Sequence, residues 1–172
     1  MLNKRAQVWV ETVLYLMIGL ILIGTVLGFV MPKINAAKER RIVQQAIDML
    51  NEIDSKIQSV QVSSYNRRVI EITLKEGRLN IYGEENKIVF YLDGLTSLYS
   101  ERKIPIRIGN VLVLSDMDSK NKNVSLTLDY GGKIDITYEG KNTTKTFTAA
   151  SIPHHLIIES KNPISIIDIT SS

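Results

Sequence analysis

From Val13 to Met31 the chain carries no charged side chain: VLYLMIGLILIGTVLGFVM, 19 residues. Counted back to Val8 the apolar stretch reaches 24 residues, with Glu11 its one charge. About 20 apolar residues let a helix cross the hydrocarbon of a bilayer, so the run predicts a membrane-spanning helix over residues 7–31. It is too long for the apolar core of an ordinary secretory signal, and no small-residue cleavage motif follows it. Trp9 and Tyr15 suit the headgroup level, where amphipathic rings settle. Gly24 and Gly28 stand four apart, the spacing at which small residues let two membrane helices approach closely. Glu11 is the anomaly. A carboxylate in hydrocarbon is costly and marks a functional position unless something compensates it.

Pro32 is expected to end or kink this helix, because proline lacks the backbone donor and its ring crowds the preceding turn. Beyond it, residues 32–62 read as helix again. Val43, Ala46, Leu50, Ile53, Ile57 and Val60 recur at steps of three and four. They form an apolar stripe, with Arg40, Gln44, Asp48, Asn51 and Asp54 placed off it. The stripe covers only about three heptads, so packing against the chain's own head is favoured over a coiled coil.

From Arg68 the period changes to two. Ile70, Ile72 and Leu74 define one face, as do Ile88, Phe90 and Leu92, and Ile104, Ile106 and Ile108. Val124, Leu126, Leu128 and Tyr130 follow, then Ile134, Ile136 and Tyr138, and a last run of Ile164, Ile166 and Ile169. Glu76-Gly77, Gly83 to Asn86, Gly109-Asn110, Gly131-Gly132 and Glu139 to Asn142 punctuate them as turns. Residues 63–172 therefore predict eight to ten short strands in an antiparallel, sandwich-like head. The class is α+β: a long N-terminal helix, apolar first and amphipathic second, followed by a β-rich domain.

Composition narrows the function. There is no cysteine, which removes disulfides, thiolate metal sites and cysteine nucleophiles. A net charge of +3 with scattered Lys and Arg is a poor footprint for nucleic acid. The stretch from Asp116 to Asn121 partly matches a calcium loop. Lys120 replaces an oxygen ligand there, and the loop's glycine and its closing glutamate are missing. His154 and His155 are adjacent on a predicted strand and so point to opposite faces, a poor pair of metal ligands. No hydrolase, zincin or phosphate-loop motif occurs. The reading is of a protein without catalysis, cofactor or metal.

The N-terminus resembles an archaeal type IV prepilin with a class III signal peptide. The resemblance rests on KRAQVWVE at residues 4–11 and the apolar helix after it, and covers about 30 residues. It implies a leader, residues 1–6, cut between Ala6 and Gln7 by a prepilin peptidase on the cytoplasmic side. Glu11 then stands at the fifth mature position, as in the family, and Trp9 at the third, where the family often has serine. Pro32 lies near the place where family helices often bend. The implied function is assembly through the N-terminal helix into a surface filament that displays the head, with adhesion a possible use of it. The implied partners are the peptidase, the membrane, a pilus assembly platform and further copies of this or related pilins. The freed amine of Gln7 would meet the Glu11 carboxylate of a neighbouring subunit, a pair that tolerates low dielectric only when both members are present.

Orientation is contested within the sequence. Lys33, Lys38, Arg40 and Arg41 after the span outnumber Lys4 and Arg5 before it, which by charge alone favours a cytoplasmic head. The resemblance implies an external one. Asn123-Val-Ser125 and Asn142-Thr-Thr144 fit the N-glycosylation acceptor pattern at or beside predicted turns, which also suits an external head. The alternative is an uncleaved, single-pass surface binding domain that never polymerises.

Overall fold

The computed structural model describes residues 4–118 and 121–171, with side chains from Val8 onward. They fall into two compact units, the first reaching Lys38 and the second beginning at Glu39. Helix α1, Lys4–Val60, supplies the described residues of the first and opens the second.

The apolar side chains of the first unit are exposed among the described residues. Trp9, Tyr15, Leu20, Ile21 and Phe29 are each at least 60% exposed. By length and composition this helix can cross a membrane. The expected end at Pro32 does not occur, because Pro32 lies inside α1. Proline removes one hydrogen bond at a cost of about 3 kcal/mol. The residues after it, with Ala36, Ala37, Lys38 and Glu39 among them, are good helix formers, so the helix resumes.

The second unit is an α+β head. Its ten strands are β1 (Arg67–Ile72), β2 (Arg78–Tyr82), β3 (Lys87–Leu95), β4 (Ile106–Ile108), β5 (Val111–Asp118), β6 (Asn121–Asp129), β7 (Asp135–Tyr138), β8 (Thr144–Thr148), β9 (His154–Ser160) and β10 (Ile166–Ser171). They make a four-stranded sheet in the order β1-β9-β10-β7 and a six-stranded sheet in the order β4-β5-β6-β3-β2-β8. Every strand pair is antiparallel except β7 with β10. That one parallel pair sits within the antiparallel-rich, sandwich-like head that the sequence predicts. The chain leaves β7, crosses to the other sheet as β8 and returns as β9, and so has the long connection that a parallel pair requires.

The core is filled from three sides. Val43, Ala46, Leu50, Ile53, Ile57 and Val60 of α1 are buried, together with Ile42 and Ile47. The six-stranded sheet gives Leu79, Ile81, Ile88, Phe90, Val113, Leu126 and Leu128, and the four-stranded sheet gives Ile70, Ile72, Leu156, Ile158, Ile167 and Ile169. A chain's helical stripe thus packs on its own strands, as the three-heptad length suggested. Each large side chain buried there removes apolar area worth about 1.5–3 kcal/mol from water.

Two strand readings and one helix reading need correction. Ile104 is 51% exposed and lies before β4, a three-residue edge strand with β5 as its only neighbour. Its alternation therefore has little core to face. Ile164 sits in a turn, and Ile167 and Ile169 are the buried isoleucines of β10, so the inward set is shifted from Ile166. Asp54, placed off the helical stripe, is buried at 6% exposure.

Turns fix the register. Gly77 turns the chain into β2 at φ +82°, and a Cβ there would lie 2.5 Å from the Tyr91 carbonyl oxygen and 2.6 Å from the Phe90 ring. Only glycine fits so close an approach at positive φ. At the start of the head, both Glu39 carboxylate oxygens accept from Thr96 N, at 2.9 and 3.0 Å, and Oε2 also accepts from Thr96 Oγ1 at 2.9 Å. Lys122 Nζ donates to the Thr96 carbonyl. The helix is thereby tied to the end of β3.

Candidate functional site

Two surfaces are candidates, one in each unit. On the N-terminal helix, Ala6 and Gln7 are helical in backbone, and their side chains lie outside the described residues, as do Met1 to Asn3 of the expected leader. Glu11 is exposed on the helix surface. Thr12 and Thr25 fold their hydroxyls back onto the carbonyls of Val8 and Ile21, at 2.9 and 2.7 Å, so neither offers an unsatisfied donor to an apolar surrounding. A Cβ added at Gly19, Gly24 or Gly28 would meet no atom of the chain within 4 Å. The glycines leave shallow relief on a helix that is otherwise large and apolar. Chemically this surface can enter lipid or pack against other helices.

The second surface is a cleft in the head, about 240 Å³ in volume, built over Asp54. Asp54 occupies the helical position seven residues after Ile47, so the heptad that buries Ile47 buries it too. Its carboxylate is held by neutral donors. Tyr130 Oη donates to Oδ1 at 2.8 Å, and Asn110 Nδ2 and Gln58 Nε2 donate to Oδ2 at 2.7 and 2.6 Å. Hydrogen bonds to a buried charge contribute about 1.5–3 kcal/mol each and prevent the larger cost of an unmet one. Burial first, then the hydrogen bond to Asp54 and its charge, push the Tyr130 phenol far above its ordinary range.

The cleft is assembled from three places. Asp54 and Gln58 come from one face of α1, one turn apart. Asn110 comes from the tight turn between β4 and β5, whose Gly109 has φ +62° and rests near Asn51 of the helix. Tyr130 and Lys133 come from the turn after β6. Arg107 and Lys133 stand on the lining, and among the described residues neither pairs with a carboxylate. Sequence reading missed this group entirely. The available signal was a carboxylate in a heptad position otherwise held by isoleucine.

The other predicted positions are dispersed. Asn142 is exposed at a bend after β7, as an acceptor at a turn should be. Asn123 lies inside β6 opposite Asp116, not at a turn, and its Oδ1 is enclosed without a partner. Asp116 and Asp118 end β5 and Asn121 opens β6, so the supposed calcium loop is a hairpin, with Ser119 and Lys120 outside the described residues. Asp116 accepts from Met117 N at 2.7 Å and pairs with Arg102 at 3.3 Å. The backbone bond, with Arg102 helping, holds its carboxyl below the usual range. His154 opens β9, half-buried, with Nε2 3.0 Å from the Thr148 carbonyl, while His155 is exposed. Among the described residues no three His, Asp or Glu side chains gather as a metal site needs.

On the other face of β2 and β3, Asn80 Nδ2 donates to Tyr82 Oη at 2.7 Å, and Arg78 lies 5.2 Å from the Tyr91 ring centre. Tyr91 is pushed up to about 12, by burial first and then by its hydrogen bond with Tyr82. Comparison with known protein families, curated proteins and solved structures finds no match to this chain.

Proposed function

We propose that the chain is a type IV pilin-like subunit that a prepilin peptidase trims before Gln7. Its N-terminal helix then assembles with copies of itself or related pilins into a surface filament displaying the β-rich head. The observation that carries this reading is the helix run from Val13 to Met31, uncharged and left exposed by the described residues, with Glu11 at the fifth place after the expected cut. An apolar surface of that extent needs lipid or other helices around it. Lipid holds the subunit before assembly, and neighbouring helices replace lipid afterwards. The head faces outward, and its contribution is display rather than chemistry. The peptidase and an assembly platform in the membrane are the partners this role requires.

A second reading has its own support. The head buries the helical stripe from Ile42 to Val60 within itself, and so completes its core without a neighbouring subunit. An uncleaved single-pass anchor that displays such a head at the surface and never polymerises would look the same.

Mass spectrometry of the N-terminal peptide from the native membrane or surface fraction separates the two. A terminus at Gln7 is expected for the pilin-like subunit; retention of Met1 to Ala6 selects the anchor. Glu11→Ala is expected to leave membrane insertion intact and to cut filament yield, seen by electron microscopy of sheared surface material. Undiminished filaments would remove the pairing role of Glu11.

A further inference from the structure

We propose that the cleft over Asp54 binds a sugar residue bearing a carboxylate. This goes beyond assembly and does not depend on it, because the cleft belongs wholly to the head. Asp54 decides the chemistry of the lining. Its oxygens accept only hydrogens, so Asn110 and Gln58 must turn their amide nitrogens toward it. Their amide oxygens are left over as acceptors on the lining, and no described residue donates to either. Tyr130 spends its one proton on Asp54 and keeps lone pairs to accept with. The lining therefore offers amide acceptors on the exposed side chains of Gln58 and Asn110, oriented by the buried Asp54, and suits the hydroxyl donors of a polyol.

Arg107 and Lys133 are the opposite kind of group. Both are exposed cations on the same lining with no acidic partner among the described residues. The remaining carboxylate there, Asp129, already accepts from Gly131 N at 3.0 Å. A guanidinium and an ammonium on one lining suit a carboxylate, which the guanidinium can grip through two parallel bonds. Hydroxyls for the amide acceptors and a carboxylate for the cations describe a uronic acid. A simple anion would leave the amide acceptors unmet, and a neutral sugar would leave the two cations unmet. A volume of about 240 Å³ suits one sugar ring.

The test uses the full chain in a phosphocholine detergent, which carries no sugar headgroup. Saturation-transfer NMR and titration calorimetry are run with galacturonate, glucose and acetate. Galacturonate is expected to bind, and glucose and acetate to bind at least about tenfold more weakly, since each lacks one half of the match. The double variant Arg107→Gln with Lys133→Gln is expected to lose about tenfold or more in galacturonate affinity while its melting curve stays that of the parent, both side chains being exposed. Absence of galacturonate binding, equal binding of acetate or glucose, or full binding by the double variant would each overturn the proposal. None of these results bears on cleavage or on filament formation.

Discussion

Tyr130 and Asp54 meet across 76 residues of chain, phenol to carboxylate at 2.8 Å, inside a fold whose other core contacts are almost all hydrocarbon. The bond joins the helix to the turn that leaves β6. It works only while the phenol keeps its proton, which gives it a definite dependence on pH.

Tyr130 and Tyr91 both have folded-state values raised above the ordinary 10.0, Tyr91 to about 12. A raised value means that the folded state holds the proton more tightly than the unfolded state does. The stabilisation is complete below pH 10 and is lost as pH rises above it. The melting temperature of the head, followed by circular dichroism, is expected to fall between pH 10 and 12. Tyr130→Phe should cost about 1.5–3 kcal/mol at neutral pH and flatten the alkaline fall. An alkaline fall as steep in Tyr130→Phe and Tyr91→Phe as in the parent would contradict this account.

Gly77 and Gly132 share a positive φ, +82° and +77°, yet only Gly77 is crowded. Gly132→Ala should cost only the conformational penalty, about 1–2 kcal/mol. Gly77→Ala should cost that and more, because its Cβ would run into Tyr91 and Phe90. Urea denaturation of the two variants reads the difference directly, and equal losses would mean that the β2–β3 hairpin yields without cost.

Asn142 and Asn123 share an acceptor pattern and differ in setting. Asn142 is exposed at a bend, whereas Asn123 is paired inside β6 with its Oδ1 enclosed. Peptide mapping of the native protein is expected to show glycan at Asn142, removed by Asn142→Gln, and none at Asn123. Glycan at Asn123 alone would reverse the assignment.

How far the sequence reaches can be judged from single residues. The stripe from Val43 to Val60 was legible because a helix repeats its buried face every three to four residues, and all six predicted positions are buried. The same rule misplaced Asp54. Polarity put it on the outside, while position put it inside, and position won because three donors were there to meet it. Ile88, Phe90 and Leu92 alternate as a strand between two others must. Ile104 alternates equally well and is exposed, since alternation does not say whether a strand is central or at an edge. Strand β8, TKTFT, buries Phe147 alone and left no period to see. The parallel pairing of β7 with β10, and the cleft that gathers Asp54, Asn110, Tyr130 and Lys133, depend on contacts between distant segments, which no local pattern carries.

The grip of Glu39 on Thr96 has a mechanical consequence. Glu39 is where the second unit begins, so its grip ties the first residue of that unit to the sheet. Thr96 directly follows β3, which is flanked by β2 on one side and β6 on the other. A disturbance at that point meets a strand held by two ladders of hydrogen bonds, rather than an edge strand held by one.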